Sequence, residues 1–289
     1  MTQPARPCSD RRPSRQTLWR RAEDVPADLG PTVIAIGHFD GVHRGHQRLL
    51  ADAEQRARAL GLPVGAVTFD RHPATILTPG RQPAVLTGPD RKFELLAHYG
   101  LDFVLALPMT LPLLTTSAED FATELLATRL RARSVSVGEN FRYGHHAAGN
   151  ISTLHAAGCR LGFEARKVDL LNIDGSPVSS TRIRAAVAEG RVRSATTLLG
   201  RSHSVEAIVA TSSGRQATAC TDPGIAAPAL GSYRGAVYGL ADPTQRTEQR
   251  VRVRVHHGAL DIDFDHEAFA GSTPAVGTEL RVEFIDENS

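Results

Sequence analysis

The sequence is poor in lysine, cysteine and tryptophan, and it has no long apolar run. Lys92 and Lys167 are the two lysines among 33 basic residues, so arginine must supply most cationic contacts. The apolar stretches are too short to cross a bilayer, and no apolar core follows the N-terminal arginines, so we expect neither a membrane span nor a secretory signal. The formal net charge is +2, with both signs spread along the chain, which gives no argument for a nucleic-acid partner.

Cysteine usage indicates the compartment. Cys8, Cys159 and Cys220 are odd in number and far apart, which favours a reducing, cytoplasmic environment over a disulfide framework. None of them has the spacing of a metal site, so we predict no protein-bound metal. With 289 residues, the chain is long enough for one large domain or two modest ones. Residues 1–16 include a segment rich in Pro, Arg and Ser and are predicted to be a disordered tail, and nothing in the sequence indicates an oligomeric state.

The most informative segment is residues 33–50, VIAIGHFDGVHRGHQRLL. Residues 33–37 are typical of a buried strand, and residues 47–60 have apolar side chains at helical spacing. Gly37 ends the strand segment, Gly41 and Gly45 follow it, and His43 and His46 lie at the start of the helix. Glycines let a backbone approach a bulky anion, and a helix N-terminus offers unpaired N–H groups and partial positive charge. Because residues three apart share a helical face, both imidazoles can face one ligand, and the segment predicts a triphosphate site without a P-loop lysine.

Two further segments follow predicted strands. The strand at Val64–Phe69 runs into T-F-D-R-H-P at residues 68–73, and polar segments at this end of a strand are where open α/β sheets bind ligands. A loop turn with a capping Asp is the alternative interpretation. A later strand at residues 134–137 enters G-E-N-F-R-Y-G at residues 138–144, where Asn140 is the candidate. An Asn before aromatic and Gly residues is otherwise an ordinary turn former.

A third segment, S-S-T-R-I-R at residues 179–184, opens a predicted helix that ends at Gly190. Ser179 or Ser180 is a good N-cap, and the same hydroxyls and free N–H groups can hold phosphate oxygens. Arg184 lies within the first turn or so, where a cation opposes the helix dipole, and an anion between them would explain its position. A capped surface helix is the alternative interpretation.

The remaining patterns define the fold class. Strands and helices alternate over residues 31–190, which predicts a doubly wound parallel sheet in an α/β domain of residues 17–201. Thr87 with Asp90, and Ser117 with Asp120, have capping-box spacing for two of its helices, the first over residues 87–99. Residues 202–289 contain short strand candidates with Gly and Pro turns, and residues 250–255 alternate strictly. This part predicts a small antiparallel β-barrel.

The pattern G-x-F-D-G-x-H-x-G-H resembles the signature of bacterial FAD synthetases, the FMN adenylyltransferase module of bifunctional riboflavin kinase/FAD synthetases in the HxGH nucleotidyltransferase superfamily. The three later segments are similar to further motifs of this family, so the resemblance covers residues 17–201. It implies an enzyme that transfers AMP from ATP to FMN, giving FAD and pyrophosphate, with Mg²⁺ bridging phosphate oxygens mostly through water. The site residues that it implies are His43, His46 and Arg184 for catalysis, Gly37, Phe39, Asp40, Gly41, Gly45, Asn140, Ser180 and Thr181 for ATP, and Phe69, His72 and Pro73 for FMN.

In this family the barrel position holds a riboflavin kinase. Its G-F-P-T-A-N segment is matched here by Q-A-T-A-C at residues 216–220, where Thr218 is kept but Cys220 stands in place of the Asn. A thiol is a poor ligand for a hard cation such as Mg²⁺. The family's catalytic Glu would fall near Gly258. We therefore predict that phosphorylation of riboflavin is weak or absent.

Three alternatives stay open. The first is a bifunctional enzyme whose barrel still phosphorylates riboflavin. The second is an adenylyl- or cytidylyltransferase of the same superfamily acting on another phosphate, such as a modified flavin; the T-F-D-x-H-P segment argues for a flavin substrate. The third is a non-catalytic regulator that binds flavin or nucleotide, against which the intact histidines and the S-S-T-R-I-R segment argue.

Overall fold

The structure is a computed structural model that describes residues 16–240, 249–265 and 273–287. The described residues form two compact units that interleave along the sequence. We call the described parts of residues 1–38, 49–73 and 93–169 the sheet unit, and those of residues 39–48, 74–92 and 170–289 the barrel unit. Apart from Gln16, the predicted tail lies outside the described residues. The predicted division into residues 17–201 and 202–289 stays a prediction.

The sheet unit is built on six parallel strands: β1 (Thr17–Trp19), β2 (Thr32–Ile36), β3 (Val64–Phe69), β4 (Phe103–Leu107), β5 (Ala132–Gly138) and β6 (Glu164–Val168). Their order is β1-β4-β3-β2-β5-β6, and every pairing is parallel. All five residues of β2 are buried, as expected for a central strand of a sheet covered on both faces. The order reverses between β2 and β5, which makes their carboxyl ends the switch point of the sheet. The predicted doubly wound α/β fold is confirmed.

Eight helices are present among the described residues: α1 (Arg44–Leu60), α2 (Ala74–Leu77), α3 (Pro89–Ala97), α4 (Leu111–Thr115), α5 (Ala118–Asp120), α6 (Ile151–Leu161), α7 (Ser180–Ala188) and α8 (Val192–Leu199). Helix α5 continues into a π-helix over Phe121–Arg129, and short 3₁₀ turns cover Ala22–Asp24, Asp40–Val42 and His145–Ala147. No helix in these three described ranges is long and apolar enough to cross a membrane.

Two helix starts differ from their predictions. Helix α1 begins at Arg44, three residues earlier than the apolar spacing indicates. Helix α3 begins at Pro89, a residue type suited to the first helical position because its missing N–H would be unbonded there anyway. Thr87 lies outside α3, where its hydroxyl accepts the N–H of Gly41 at 3.2 Å. The predicted Ser117 cap is confirmed, because its hydroxyl accepts the N–H of Asp120 at 2.9 Å.

The barrel unit contains a short hairpin of β7 (Asn172–Ile173) and β8 (Ser176–Pro177), followed by six long strands. These are β9 (His203–Ser213), β10 (Gln216–Thr221), β11 (Gly231–Gly239), β12 (Gln249–His256), β13 (Ala259–Phe264) and β14 (Glu279–Glu287). They close in the order β10-β13-β12-β11-β14-β9 with antiparallel pairings throughout. This closed antiparallel order confirms the predicted barrel. Along β12, valines face the core and arginines face outward.

Helices α7 and α8 pack on a small apolar core of the barrel unit. Ile183 and Val187 of α7 are fully buried there, with Leu198 and Leu199 of α8 and with Leu86 from the chain before α3. Ser179 caps α7, because its hydroxyl accepts the N–H of Arg182 at 3.2 Å. This core and the cap fix the N-terminus of α7, from which the S-S-T-R-I-R side chains project.

Candidate active site

Residues 39–43, which we call the histidine turn, have an unusual backbone. Phe39, Gly41 and Val42 have φ angles of +51°, +77° and +39°, in the left-handed region that only glycine adopts without strain. Arg201 braces the turn, because its Nη2 donates to the carbonyl of Gly41 at 2.6 Å and its Nη1 to that of Val42 at 3.4 Å. Backbone strain of this kind persists only where surrounding contacts impose it.

The two histidines stack at the start of α1. The ring centroids of His43 and His46 are 3.6 Å apart, with 14° between their planes. Nδ1 of His43 accepts the N–H of His46 at 3.3 Å, so the proton of neutral His43 lies on Nε2. Burial, together with the positive charge of Arg201, lowers the pKa of His43 from 6.5 to about 4. Near neutral pH the ring is therefore uncharged, and its Nε2–H is a fixed donor.

Gly45 leaves the space that the His43 ring occupies. A Cβ at this position would lie 3.2 Å from both Cε1 and Nδ1 of His43, which is tighter than most Cβ contacts, and 3.6 Å from the carbonyl oxygen of Val178. The middle glycine of the pattern H-x-G-H thus has a packing reason, and the backbone next to it lies close to the start of α7.

The N-terminus of α7 is joined to the histidine turn through Asp40. Ser180 Oγ donates to the Asp40 carbonyl at 3.0 Å, and Arg184 Nη1 donates to Asp40 Oδ2 at 2.9 Å. Arg184 Nη2 also donates to Thr181 Oγ1 at 3.2 Å. The other carboxylate oxygen, Oδ1, accepts the N–H of Leu86 at 2.8 Å. The imidazole pair and the hydroxyl–arginine cluster therefore meet at one turn.

Gly37 and Asn140 lie in the sheet unit, at the switch point. Gly37 follows β2 and donates its N–H to the carbonyl of Val67 at 3.1 Å. Asn140 follows β5 in a tight turn, in which the N–H of Phe141 bonds the carbonyl of Gly138 at 2.9 Å, and its side chain is exposed. Since β2 and β5 are paired neighbours, both residues lie at the sheet edge where doubly wound folds bind ligands.

The T-F-D-R-H-P segment forms an aromatic cluster in the sheet unit. The ring of His38 lies 4.9 Å from that of Phe69 and stacks on His72 at 5.5 Å. Asp70 Oδ1 accepts the N–H of Met109 at 2.7 Å, which anchors the segment to the end of β4. Phe69 is half-buried and His72 is exposed, so part of this cluster lies at the surface.

The predicted site residues thus fall into two groups. The barrel unit brings together Phe39, Asp40, Gly41, His43, Gly45, His46, Ser180, Thr181 and Arg184. The sheet unit holds Gly37, Phe69, His72, Pro73 and Asn140. Sequence reasoning missed Arg201 and Leu86 as supports of the histidine turn. An arginine after a helix-ending glycine and a leucine in a loop carry no specific signal for such contacts.

The barrel carries a separate groove of about 480 Å³ on its outer face. Thr218 Oγ1 donates to Asp261 Oδ1 at 2.9 Å there, and Arg252 and Arg254 line the same groove. Cys220 is an exposed free thiol on the same strand as Thr218. This carboxylate, Asp261, belongs to β13 and lies three residues after Gly258, near which the family's catalytic Glu would fall.

Comparisons with known proteins identify relatives of this chain. The sequence model of the FAD synthetase family matches residues 25–182. The bifunctional riboflavin kinase/FMN adenylyltransferase of Escherichia coli K12 is 34% identical over 168 residues, which are 58% of this chain and 54% of the relative. The protein of the same name from Pseudomonas fluorescens is 37% identical over 169 residues, with the same coverage of 58% and 54%. The chain therefore spans about half the length of the curated relatives it matches.

A solved structure shares the fold of almost the whole chain. It is described as a macrolide-efflux protein from Streptococcus pneumoniae, and it superposes with a TM-score of 0.81 at 22% identity. The match covers 94% of this chain and 90% of that one, so the α/β sheet and the barrel occur together in another protein.

Proposed function

Because the chain belongs to the FAD synthetase family, we propose that it transfers AMP from ATP to FMN, giving FAD and pyrophosphate. The observation that carries the proposal is the junction at Asp40. The stacked His43 and His46 lie at the start of one helix, and Ser180 begins another helix, which also carries Arg184. Both sets are bonded to or adjacent to the same turn. Two helix N-termini, two imidazoles and a guanidinium supply the donors and positive potential that a triphosphate requires.

In the proposed reaction, an oxygen of the FMN phosphate attacks the α-phosphorus of ATP in line. The new P–O bond joins FMN to AMP, and the bond from the α-phosphorus to the bridging oxygen breaks, so pyrophosphate leaves with that electron pair. A phosphate monoester loses its second proton near pH 6, so no strong base is needed at neutral pH. Catalysis then consists of positioning the two phosphates and stabilising the charge that develops on them.

Each residue of the barrel-unit cluster has a role in this proposal. Neutral His43 donates its Nε2–H to a phosphate oxygen, and His46 contacts the phosphates from the same helical face. Ser180, Thr181 and Arg184 hold the β- and γ-phosphates. The planar fork of N–H donors that an arginine carries suits phosphate oxygens.

The remaining predicted residues position the substrates. Gly41, Gly45 and Gly37 let the backbone approach ATP, Phe39 supports the turn, and Asn140 contacts the nucleotide. Phe69, His72 and Pro73 bind FMN, a role supported by the cluster of rings that Phe69 and His72 form with His38. A flavin is a planar aromatic group, so packing against such rings suits it.

We propose that Mg²⁺ enters as part of the MgATP substrate. Near the histidine turn the donors are imidazoles, hydroxyls and the Asp40 carboxylate, whose two oxygens already accept hydrogen bonds. No group of three His, Cys, Asp or Glu side chains suited to a metal occurs in the part of the chain that the structure describes. Mg²⁺ keeps several waters and binds phosphate oxygens readily, so this donor set fits a metal held by ATP.

The exposed free thiols of Cys159 and Cys220 support a cytoplasmic location, and we propose no nucleic-acid partner.

The test is product analysis with the full chain, FMN and MgATP. We expect FAD and pyrophosphate in equal amounts, and His46→Ala should lower the FAD rate by about 100-fold or more, the usual effect of losing one preorganised donor. His155→Ala, which removes an exposed histidine of α6, is the matched control and should leave the rate unchanged. Absence of FAD from wild-type protein would refute the proposed activity, whereas FAD formation at an unchanged rate in His46→Ala would refute only the role of His46.

One observation supports the bifunctional alternative: the hydrogen bond between Thr218 and Asp261 in the barrel groove. A hydroxyl beside a carboxylate and two arginines could serve phosphoryl transfer even though Cys220 replaces an Asn. Our prediction remains that this activity is weak or absent. A reaction with riboflavin and MgATP but no added FMN decides the matter, because formation of either FMN or FAD would establish the alternative.

A further inference from the structure

Arg184 occupies a position that costs energy without an anionic partner. It is the fifth of the nine residues of α7, beyond the first turn and before the last turn, where a helix dipole would favour a cation. Its side chain is only 20% exposed. The charge of Asp40, 2.9 Å away, offsets this loss of solvation.

The carboxylate of Asp40 is turned toward protein donors. One oxygen accepts the Leu86 N–H and the other accepts Arg184. The side chain is 18% exposed, and burial raises the pKa of Asp40, while the Leu86 N–H and the charges of Arg184 and Lys92 oppose that rise. A carboxylate placed directly against a triphosphate would be repelled by it, so a direct contact with ATP is unfavourable. Its place in the sequence motif therefore needs another explanation.

We propose that Asp40 is a positioning residue, whose carboxylate orients the Arg184 guanidinium so that its other N–H groups face the phosphates bound beside His43 and His46. An arginine has five N–H donors. The hydrogen bonds that Arg184 makes to other described residues engage Nη1 with Asp40 and Nη2 with Thr181. Two hydrogen-bonded nitrogens, together with the covalent attachment at Nε, fix the plane of the guanidinium, so the remaining N–H groups point in one direction.

This inference rests on the proposed function, and its consequence is a preference for the triphosphate. Asp40→Asn keeps an oxygen that can accept the Leu86 N–H but removes the charge that holds Arg184. We expect this variant to bind the Mg²⁺ complex of α,β-methylene ATP about tenfold more weakly by calorimetry, and to bind AMP within about twofold of wild type. Its KM for ATP should rise while its KM for FMN stays the same. Asp40→Glu, which restores the charge, should retain more of the triphosphate preference.

A double-mutant cycle separates positioning from a structural role. In an Arg184→Ala background, Asp40→Asn should add little further loss of α,β-methylene ATP binding, because the residue it orients is gone. Asp52→Asn is the matched control, since Asp52 forms a similar partly buried ion pair with Arg166 at 2.8 Å in the sheet unit. It should lower stability and leave the preference for triphosphate over AMP unchanged.

The outcomes distinguish this inference from the proposed function. Equal weakening of AMP and α,β-methylene ATP in Asp40→Asn, or full additivity with Arg184→Ala, would overturn the positioning role while FAD synthesis by wild type still stood. Conversely, a wild-type protein that makes no FAD but whose triphosphate binding depends on Asp40 through Arg184 would overturn the activity and support the positioning role.

Discussion

Lowering the pH is expected to destabilise the protein through buried histidines, of which His203 gives the cleanest test. His203 begins β9, is 1% exposed, and its Nε2 lies 2.7 Å from the carbonyl oxygen of Ala226. Burial, aided by the charge of Arg201, lowers its pKa from 6.5 to about 4. Neutral His203 donates Nε2–H to that carbonyl, and protonation would place an uncompensated charge in the barrel core.

The direction of this pH effect on stability follows from proton binding to His203 in the folded and unfolded states. Between pH 6.5 and about 4, the unfolded chain carries a proton on His203 and the folded chain does not. The stability that neutral His203 contributes is therefore fully present above pH 6.5 and is lost as the pH falls toward the pKa of His203 in the folded state. For this pair of pKa values, the loss between pH 7 and pH 5 is about 2 kcal/mol. His43, whose folded pKa is also about 4, adds a loss of the same sign and similar size.

Urea unfolding at pH 7 and pH 5 measures this effect. In His203→Gln the amide can still donate to Ala226, but the titrating group is gone, so the loss of unfolding free energy between the two pH values should shrink by about 2 kcal/mol. Val205→Ala, a truncation in the same strand at a residue 1% exposed, should lower stability equally at both pH values. An identical pH dependence in wild type and His203→Gln would refute the reasoning.

Two further substitutions test the supports of the candidate site. Ser179→Ala removes the cap of α7 and should lower the free energy of unfolding, measured with urea, by about 1 kcal/mol. A decrease smaller than a few tenths of a kcal/mol would contradict the capping role. Gly41→Ala places a Cβ 2.9 Å from Leu86 Cδ1 at a φ of +77°, so the histidine turn must shift. We expect Gly41→Ala to bind α,β-methylene ATP more weakly than wild type when affinity is measured by calorimetry. Wild-type affinity in this variant would show that the geometry of the turn does not matter for nucleotide binding.

Local patterns predicted much of the fold correctly. The valines of β12 alternate with arginines, and a pattern of period two specifies which face of a strand is buried without reference to the rest of the chain. The apolar run of β2 and the Ser117 cap are equally local. Prediction was least accurate at helix starts, because Thr87 has capping-box spacing in sequence but bonds Gly41 in the structure. A distant partner there outweighs a local preference.

The sequence by itself determined the two classes of secondary structure, the parallel and antiparallel sheets, and the motifs that mark a nucleotidyltransferase, since each depends on residues a few positions apart. Only the tertiary structure decided that Asp40 bonds Arg184, 144 residues away, and that Arg201 braces the histidine turn. Such pairs have no common period or spacing, because they arise where packed helices bring distant segments within hydrogen-bond reach. The same packing sets the pKa of His43 and leaves its ring uncharged at neutral pH, a property that no sequence pattern encodes.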